Sequence, residues 1–166
     1  MSKAKARATH FFLVKTEPDA FSIDDLQRDG EAPWDGVRNF QARTVMRDGM
    51  RLGDLVLVYH SSCDPPGVVG IAEVIREAHA DPSQFDPKSK YYDEKSKEED
   101  PRWLMVRVRF VEKLPRMVTL AELKADPELE GMIVTRRGSR LSVMPVERRH
   151  FVRVCKVGGA KTKVPR

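Results

Sequence analysis

The chain has 166 residues, 40% hydrophobic and 33% charged, so composition points to one soluble globular domain and excludes membrane and disordered classes. No apolar run reaches the roughly 20 residues of a membrane span, and Met1–Thr9 has basic residues without the apolar segment of a signal peptide; the expected location is the cytoplasm, or the nucleus if the source is eukaryotic. The net charge of +5 comes from the ends: residues 1–10 and 156–166 carry three and four basic residues and no acids, while the body between them is slightly acidic.

In chain order, Phe11-Phe12-Leu13-Val14-Lys15 reads as a buried first strand, ended by Thr16-Glu17-Pro18 because proline lacks a donor. Ser22-Ile23-Asp24-Asp25 has the form of a helix N-cap, and Gly30 is a natural stop. Next comes Trp34-Asp35-Gly36-Val37-Arg38-Asn39-Phe40-Gln41-Ala42-Arg43. Asp35-Gly36 is a turn dipeptide directly behind a tryptophan. The flat aromatic, the amides and the two guanidinium groups suit recognition of a flat polar ligand with an anionic attachment, such as a nucleotide. These ten residues also fit a core anchor followed by a solvated helix. That helix is expected from near Val37 to near Gly49.

Leu55–His60 is a strong strand, 61–67 a loop, and Val68–Arg76 a further strand. Residues 80–101 are polar with three prolines, but Phe85, Tyr91 and Tyr92 favour a packed loop over a disordered linker. Trp103–Val111 returns to strand, with Val106, Val108 and Phe110 on one face and Arg107 and Arg109 on the other. Arg116-Met117-Val118 reads as a separate short strand. Thr119-Leu120-Ala121-Glu122 opens a helix to about Ala125, and Pro127–Gly131 is a turn or helix. Arg136-Arg137-Gly138-Ser139-Arg140 is a basic turn, Leu141–Val146 a last strand interrupted by Pro145, and 147–155 either helix or strand. Short strands with few helices predict a small barrel with flanking helices.

Few residues offer catalysis. His10, His60, His79 and His150 lack metal spacing, and Cys63 and Cys155 lack Cys-x-x-Cys spacing, so neither a metal nor a disulfide is expected. Walker, Gly-x-Gly-x-x-Gly and Gly-x-Ser-x-Gly motifs are absent. Glu17 and Asp35 form an acid/base pair only if the fold brings them together. Tyr59-His60-Ser61 ends a strand where a barrel mouth would lie. With Trp34 and Asn39 it makes a base-sized slot, unless Tyr59 is core and His60 a capped surface residue.

Leu13-Val14-Lys15-Thr16-Glu17-Pro18, Trp34–Arg43, Gly53-Asp54, Tyr59-His60-Ser61 and Gly70-Ile71-Ala72-Glu73-Val74 together resemble the EVE domain. Gln84-Phe85-Asp86-Pro87, Tyr91-Tyr92-Asp93, Pro101-Arg102-Trp103, Arg140–Val143 and Pro145-Val146 extend the resemblance from residue 11 to about 154. It implies an α+β, PUA-like fold, a small mixed β-barrel with short flanking helices, related to ASCH and YTH domains. The domain would span 11–155, between flexible basic tails at 1–10 and 156–166. The implied function is a non-catalytic, cofactor-free reader of a modified base, modified cytosine in DNA. Alternatives are an RNA-binding module and a sensor of a small nucleotide metabolite. Trp34, Asn39, Tyr59, His60 and Ser61 would shape the pocket, with Lys15, Thr16 and Glu17 beside it. Arg38 and Arg43 would steady it or meet phosphate. Thr16 stands where serine is usual, and Ser62-Cys63 where many relatives have other polar residues. The expected partner is nucleic acid, without membrane or metal, and the expected state is a monomer.

Overall fold

A computed structural model describes residues 7–166. Six strands form one mixed sheet: β1 (Phe11–Thr16), β2 (Glu31–Trp34), β3 (Leu55–His60), β4 (Gly67–Ala80), β5 (Leu104–Thr119) and β6 (Val143–Val146). Their order is β2-β5-β4-β3-β1-β6. Only β1 and β3 run parallel; the other ladders are antiparallel. The strand order ends in β2 and β6, and among the described residues no ladder joins those two strands; the fold is the expected mixed α+β sheet with short helices.

Four short helices cover the sheet: α1 (Ile23–Asp29), α2 (Phe40–Gly49), α3 (Leu120–Ala125) and α4 (Arg148–Gly158). The α1 cap is the expected one. Ser22 Oγ accepts from the Asp25 N–H, and Asp25 accepts from the Ser22 N–H. Ile23 and Leu26 are buried beneath it. At Gly70 of β4 any Cβ would overlap the Ile23 side chain, so glycine lets α1 sit directly on the sheet. Thr119 caps α3 through the Glu122 N–H, but the Glu122 carboxylate turns outward to pair with Arg116 at 2.8 Å.

Several elements differ from expectation. Helix α2 begins at Phe40 instead of near Val37, because Asn39 stays extended and its Oδ1 accepts from the Ala42 N–H at 2.9 Å. Strand β2 has no counterpart among the expected elements; Ala32 and Trp34 turn inward, and Pro33 is tolerated on an edge strand. The two strands expected at 103–111 and 116–118 are one strand, β5. Its register with β4 shifts between Val68 and Gly70, opposite residues 113–118, and Pro115 falls in that irregular stretch. The ambiguous C-terminal segment is helix α4, which buries Phe151, Val154, Cys155 and Gly158 at helical spacing. Phe151 packs on Phe11 of β1, ring centres 4.7 Å apart.

The domain boundary expected at 155 falls inside α4. Beyond the helix, Glu112 accepts from the backbone N–H groups of Lys161 and Thr162 and from the Thr162 hydroxyl. Arg148 donates to the Pro165 carbonyl. Residues 156–166 are thus tied to the domain at both ends of the segment. Of the expected N-terminal tail, residues 1–6 lie outside the described residues. Arg7 pairs with buried Asp54 at 2.7 Å. Among the described residues no helix is long and apolar enough to cross a membrane.

Candidate nucleobase site

The parallel register of β1 and β3 sets Lys15 beside Tyr59 and Thr16 beside His60. Both strands end at the same edge of the sheet, and the Ser61 N–H donates to the Thr16 carbonyl at 2.9 Å. Lys15 also holds the chain entering β6: its N–H donates to the Ser142 carbonyl and its ammonium lies 3.5 Å from the Ser139 carbonyl. Strand β2 and the turn after it form the opposite wall. Together these segments enclose a cavity of about 800 Å³, within the size range of small-ligand pockets.

Trp34 supplies one aromatic wall. It closes β2 opposite Val106, is 7% exposed, and meets Phe21 edge-on at 6.2 Å. Tyr91, from the long 81–103 segment, supplies another. Its ring lies against Gly36, where a Cβ would come within 2.6 Å of the ring, and Gly36 has a φ of +76°. Glycine is required there both for space and for backbone conformation.

Asp81 locks this turn in place. It is fully buried and accepts from the Gly36 N–H (2.8 Å), Arg38 Nη1 (3.1 Å), and the Ser83 N–H and hydroxyl (2.8 and 2.6 Å). Burial by itself raises its pKa, but these donors outweigh burial and hold the carboxyl below the ordinary aspartate value. Arg38 directs its whole guanidinium to the protein: Nε and Nη2 donate to the Tyr91 carbonyl, Nη1 to the Val37 carbonyl and Asp81, and Nη2 to Ser83. It braces the cavity and has no fork left for a phosphate. Gln84 fixes the same segment from behind, donating to the carbonyls of Asp81 and Trp103 and accepting from the Trp103 N–H.

Six of the ten residues singled out from the sequence line the cavity: Lys15, Thr16, Glu17, Trp34, Arg38 and Ser61. The other four do not. Asn39 caps α2. Tyr59 is 3% exposed beneath Lys15, whose ammonium stands 5.9 Å from the ring centre. His60 Nε2 accepts from the Ile23 N–H at 3.1 Å, which requires that nitrogen unprotonated, and burial lowers the imidazole pKa in the same sense. Arg43 donates to the Arg102 carbonyl and lies over the Phe40 ring. These polar groups satisfy backbone or brace neighbouring chain.

Residues missed as site candidates are Tyr91, Lys90, Arg140 and Ser142, all on the cavity; Asp35, weighed from the sequence only as an acid/base partner of Glu17, lines it too. The paired tyrosines in a polar loop are the available signal for Tyr91. Glu17 and Asp35, separated by 18 positions in sequence, do reach the same cavity. Burial against the wall, followed by the nearby Asp81 charge, raises the pKa of Asp35, although its side chain remains open to water in the cavity. The cavity charge is balanced: Lys15, Lys90, Arg140 and the fully occupied Arg38 face Glu17, Asp29, Glu31 and Asp35. Among the described residues no three His, Cys, Asp or Glu side chains gather as a metal site. Cys155 is a buried thiol whose pKa burial pushes up to about 12.

A mixed sheet with an aromatic-walled polar cavity at its strand ends defines a small ligand-pocket domain. The chain belongs to the EVE domain family, which it matches over residues 10–157. It is 39% identical to mouse (Mus musculus) thymocyte nuclear protein 1 over 162 residues, covering 86% of this chain and 71% of that protein. The crystal structure of human THYN1 protein in complex with 5-methylcytosine containing DNA has a TM-score of 0.86 at 35% identity, covering 93% of this chain and all of the other. The YTH domain of Zygosaccharomyces rouxii MRB1 protein, at 13% identity and a TM-score of 0.52 over 99% of this chain and 97% of the other, shares the fold.

Proposed function

We propose that this chain is a non-catalytic reader of a modified base, a modified cytosine in DNA, held in the cavity bounded by Trp34 and Tyr91. The observation that carries this reading is the convergence of the aromatic side chains Trp34 and Tyr91, three hydroxyl side chains (Thr16, Ser61 and Ser142) and two lysines (Lys15 and Lys90) on one cavity of about 800 Å³. The likeness to the human protein solved with 5-methylcytosine containing DNA supports it. A base extruded from its stack gains about 1–3 kcal/mol from aromatic stacking. A buried methyl adds only about 0.8 kcal/mol, roughly fourfold in affinity. Preference for the modified base is therefore modest unless a hydroxyl such as Ser61 reads an additional polar group.

The test is a titration of the full chain with matched oligonucleotides carrying one 5-methylcytosine, one cytosine, or the RNA equivalent. The expected result is tighter binding to 5-methylcytosine DNA. Equal binding to modified and plain DNA defeats the reading; a preference for RNA transfers it to an RNA module. Tight, salt-insensitive binding of the free nucleoside identifies a metabolite sensor. Incubation with the modified oligonucleotide is expected to give no product by mass spectrometry; a product lost in Glu17→Gln establishes an enzyme instead. In this reading the reader is a monomer, working wherever the nucleic acid lies, in the cytoplasm or a nucleus, without a cofactor.

Phosphate binding falls to the basic turn beside the cavity. Arg136, Arg137 and Arg140 are exposed and in no ion pair among the described residues, and Arg140 lines the mouth. For duplex DNA, each phosphate that is no longer neutralised changes the slope of log affinity against log salt by about 0.9. Replacing the three arginines with alanine is expected to flatten the slope by about 2–3 while leaving the ratio between modified and plain bases unchanged. An unchanged slope would place the phosphate-binding groups elsewhere.

A further inference from the structure

Asp35 is a charged side chain for which neither the stability of the turn nor the braces around it provides a use. Among the described residues, no other residue donates a hydrogen bond to its carboxylate and no ion pair reaches it, although Arg38 lies three positions away. Asp81, not Asp35, takes the Gly36 N–H and the Arg38 guanidinium. Packing against the wall, followed by the like charge of Asp81, raises the pKa of Asp35. Its place is fixed from both sides: Trp34 precedes it at the end of β2, and Gly36, which follows, is held by Asp81 and covered by the Tyr91 ring. An acceptor-only group thus sits between the two residues that define the aromatic walls.

We propose that Asp35 selects the class of base, its carboxylate accepting a 4-amino hydrogen from a cytosine-type base and rejecting the 4-carbonyl of thymine or uracil. This rests on the base-reader function proposed for the same cavity. Cytosine presents its exocyclic N4 amino group as a donor, and Asp or Glu is the matching acceptor; thymine presents an oxygen at that position. Setting a carboxylate against a carbonyl oxygen leaves both without a donor, a buried mismatch that is costly relative to a satisfied pair. The C5 methyl neighbours the 4-position but offers only an apolar contact, whereas the 4-position is read by a hydrogen bond, so base class and modification are read by separate groups.

Thymine and 5-methylcytosine both carry the C5 methyl and differ at the 4-position and at N3. Cytosine and 5-methylcytosine differ only in the methyl. Titrating the full chain with oligonucleotides that differ in this one base separates the two readings. The wild-type chain is expected to bind 5-methylcytosine at least tenfold more tightly than thymine. Asp35→Asn, whose amide both donates and accepts, is expected to reduce that ratio below about threefold and leave the ratio of 5-methylcytosine to cytosine unchanged. An unaltered thymine ratio in Asp35→Asn overturns the proposal while leaving the reader function standing. Absence of a methyl preference in the wild-type chain with thymine still rejected defeats the reader function but not the role of Asp35.

A second measurement needs no variant. As pH falls through the raised pKa of Asp35 the carboxylate becomes a neutral acid with its own proton to donate, so thymine rejection by the wild-type chain weakens. Asp81, Arg38 and Lys90 carry the charges acting on Asp35, and Lys15, Glu17, Asp29, Glu31 and Arg140 share the cavity. Asp35→Asn is expected to abolish that pH dependence. Thymine rejection that is constant from neutral pH to well below the ordinary aspartate value overturns the proposal, whether or not the variant folds.

Discussion

Asp81→Ala is expected to lower the stability of the domain by about 3–5 kcal/mol, the usual cost of removing one partner of a buried ion pair. Asp81 has no exposed surface, and its partner Arg38 is only 21% exposed. The substitution strips the acceptor from four donors at once: the Gly36 N–H, an Arg38 N–H, and the N–H and hydroxyl of Ser83. It leaves the guanidinium charge against Trp103 and Tyr91 without its counter-ion. Urea denaturation followed by far-UV circular dichroism measures the cost, and a decrease below about 1 kcal/mol would show that the turn is held by other interactions. The sign with pH follows from the direction of the shift. A carboxyl whose pKa is lower folded than unfolded adds stability above the unfolded value of about 3.9, and that stability is lost as pH falls toward the folded value. The wild-type acid-denaturation curve therefore contains an Asp81 contribution that is absent from Asp81→Asn. Because Asp81 also positions Gly36, both variants are expected to weaken base binding even at temperatures where they remain folded.

The same network explains which parts of the site are legible in the sequence. The capping box of α1, the β3 strand and the packed 80–101 loop follow from local signals: a serine–aspartate spacing, an unbroken apolar run, and aromatics in a polar stretch. Trp34 and Arg38 are likewise legible, because a tryptophan, a turn and an arginine within five positions are unusual for a core helix. Interactions between distant segments are not legible. Nothing local to Asp81 indicates that it will receive the N–H of Gly36, 45 positions earlier. Nothing local to Tyr91 indicates that its ring will cover that same glycine. Asn39, His60 and Arg43 carry the right chemistry for a base, but backbone groups compete for it: Asn39 accepts from the Ala42 N–H, His60 from the Ile23 N–H, and Arg43 donates to the Arg102 carbonyl. Strand β2 is concealed for another reason: four residues containing Pro33 are too short and too proline-rich to read as a strand until an edge position accommodates them. The strand order, with β2 and β6 at opposite ends, is likewise not written in any one segment.

Trp34→Ala is expected to weaken binding of a 5-methylcytosine oligonucleotide by roughly 5–150-fold, the equivalent of removing about 1–3 kcal/mol of stacking. It is expected to abolish the preference for the modified base while the salt slope stays as in the wild type, because the arginines of the 136–140 turn are untouched. Trp34 is, however, both a cavity wall and part of the core: 7% exposed, paired across to Val106 and edge-on to Phe21. Truncating a buried tryptophan costs about 3–5 kcal/mol of stability, a large share of the roughly 5–15 kcal/mol that holds a domain together. Binding must therefore be measured where denaturation curves show the variant folded. Trp34→Phe separates the two roles. The smaller ring keeps most of the apolar volume and one aromatic face, so stability is expected to return most of the way while affinity for the modified base returns only in part. A folded Trp34→Ala that still distinguishes 5-methylcytosine from cytosine removes Trp34 from the recognition surface and leaves Tyr91, held against Gly36, as the aromatic on which the base stacks.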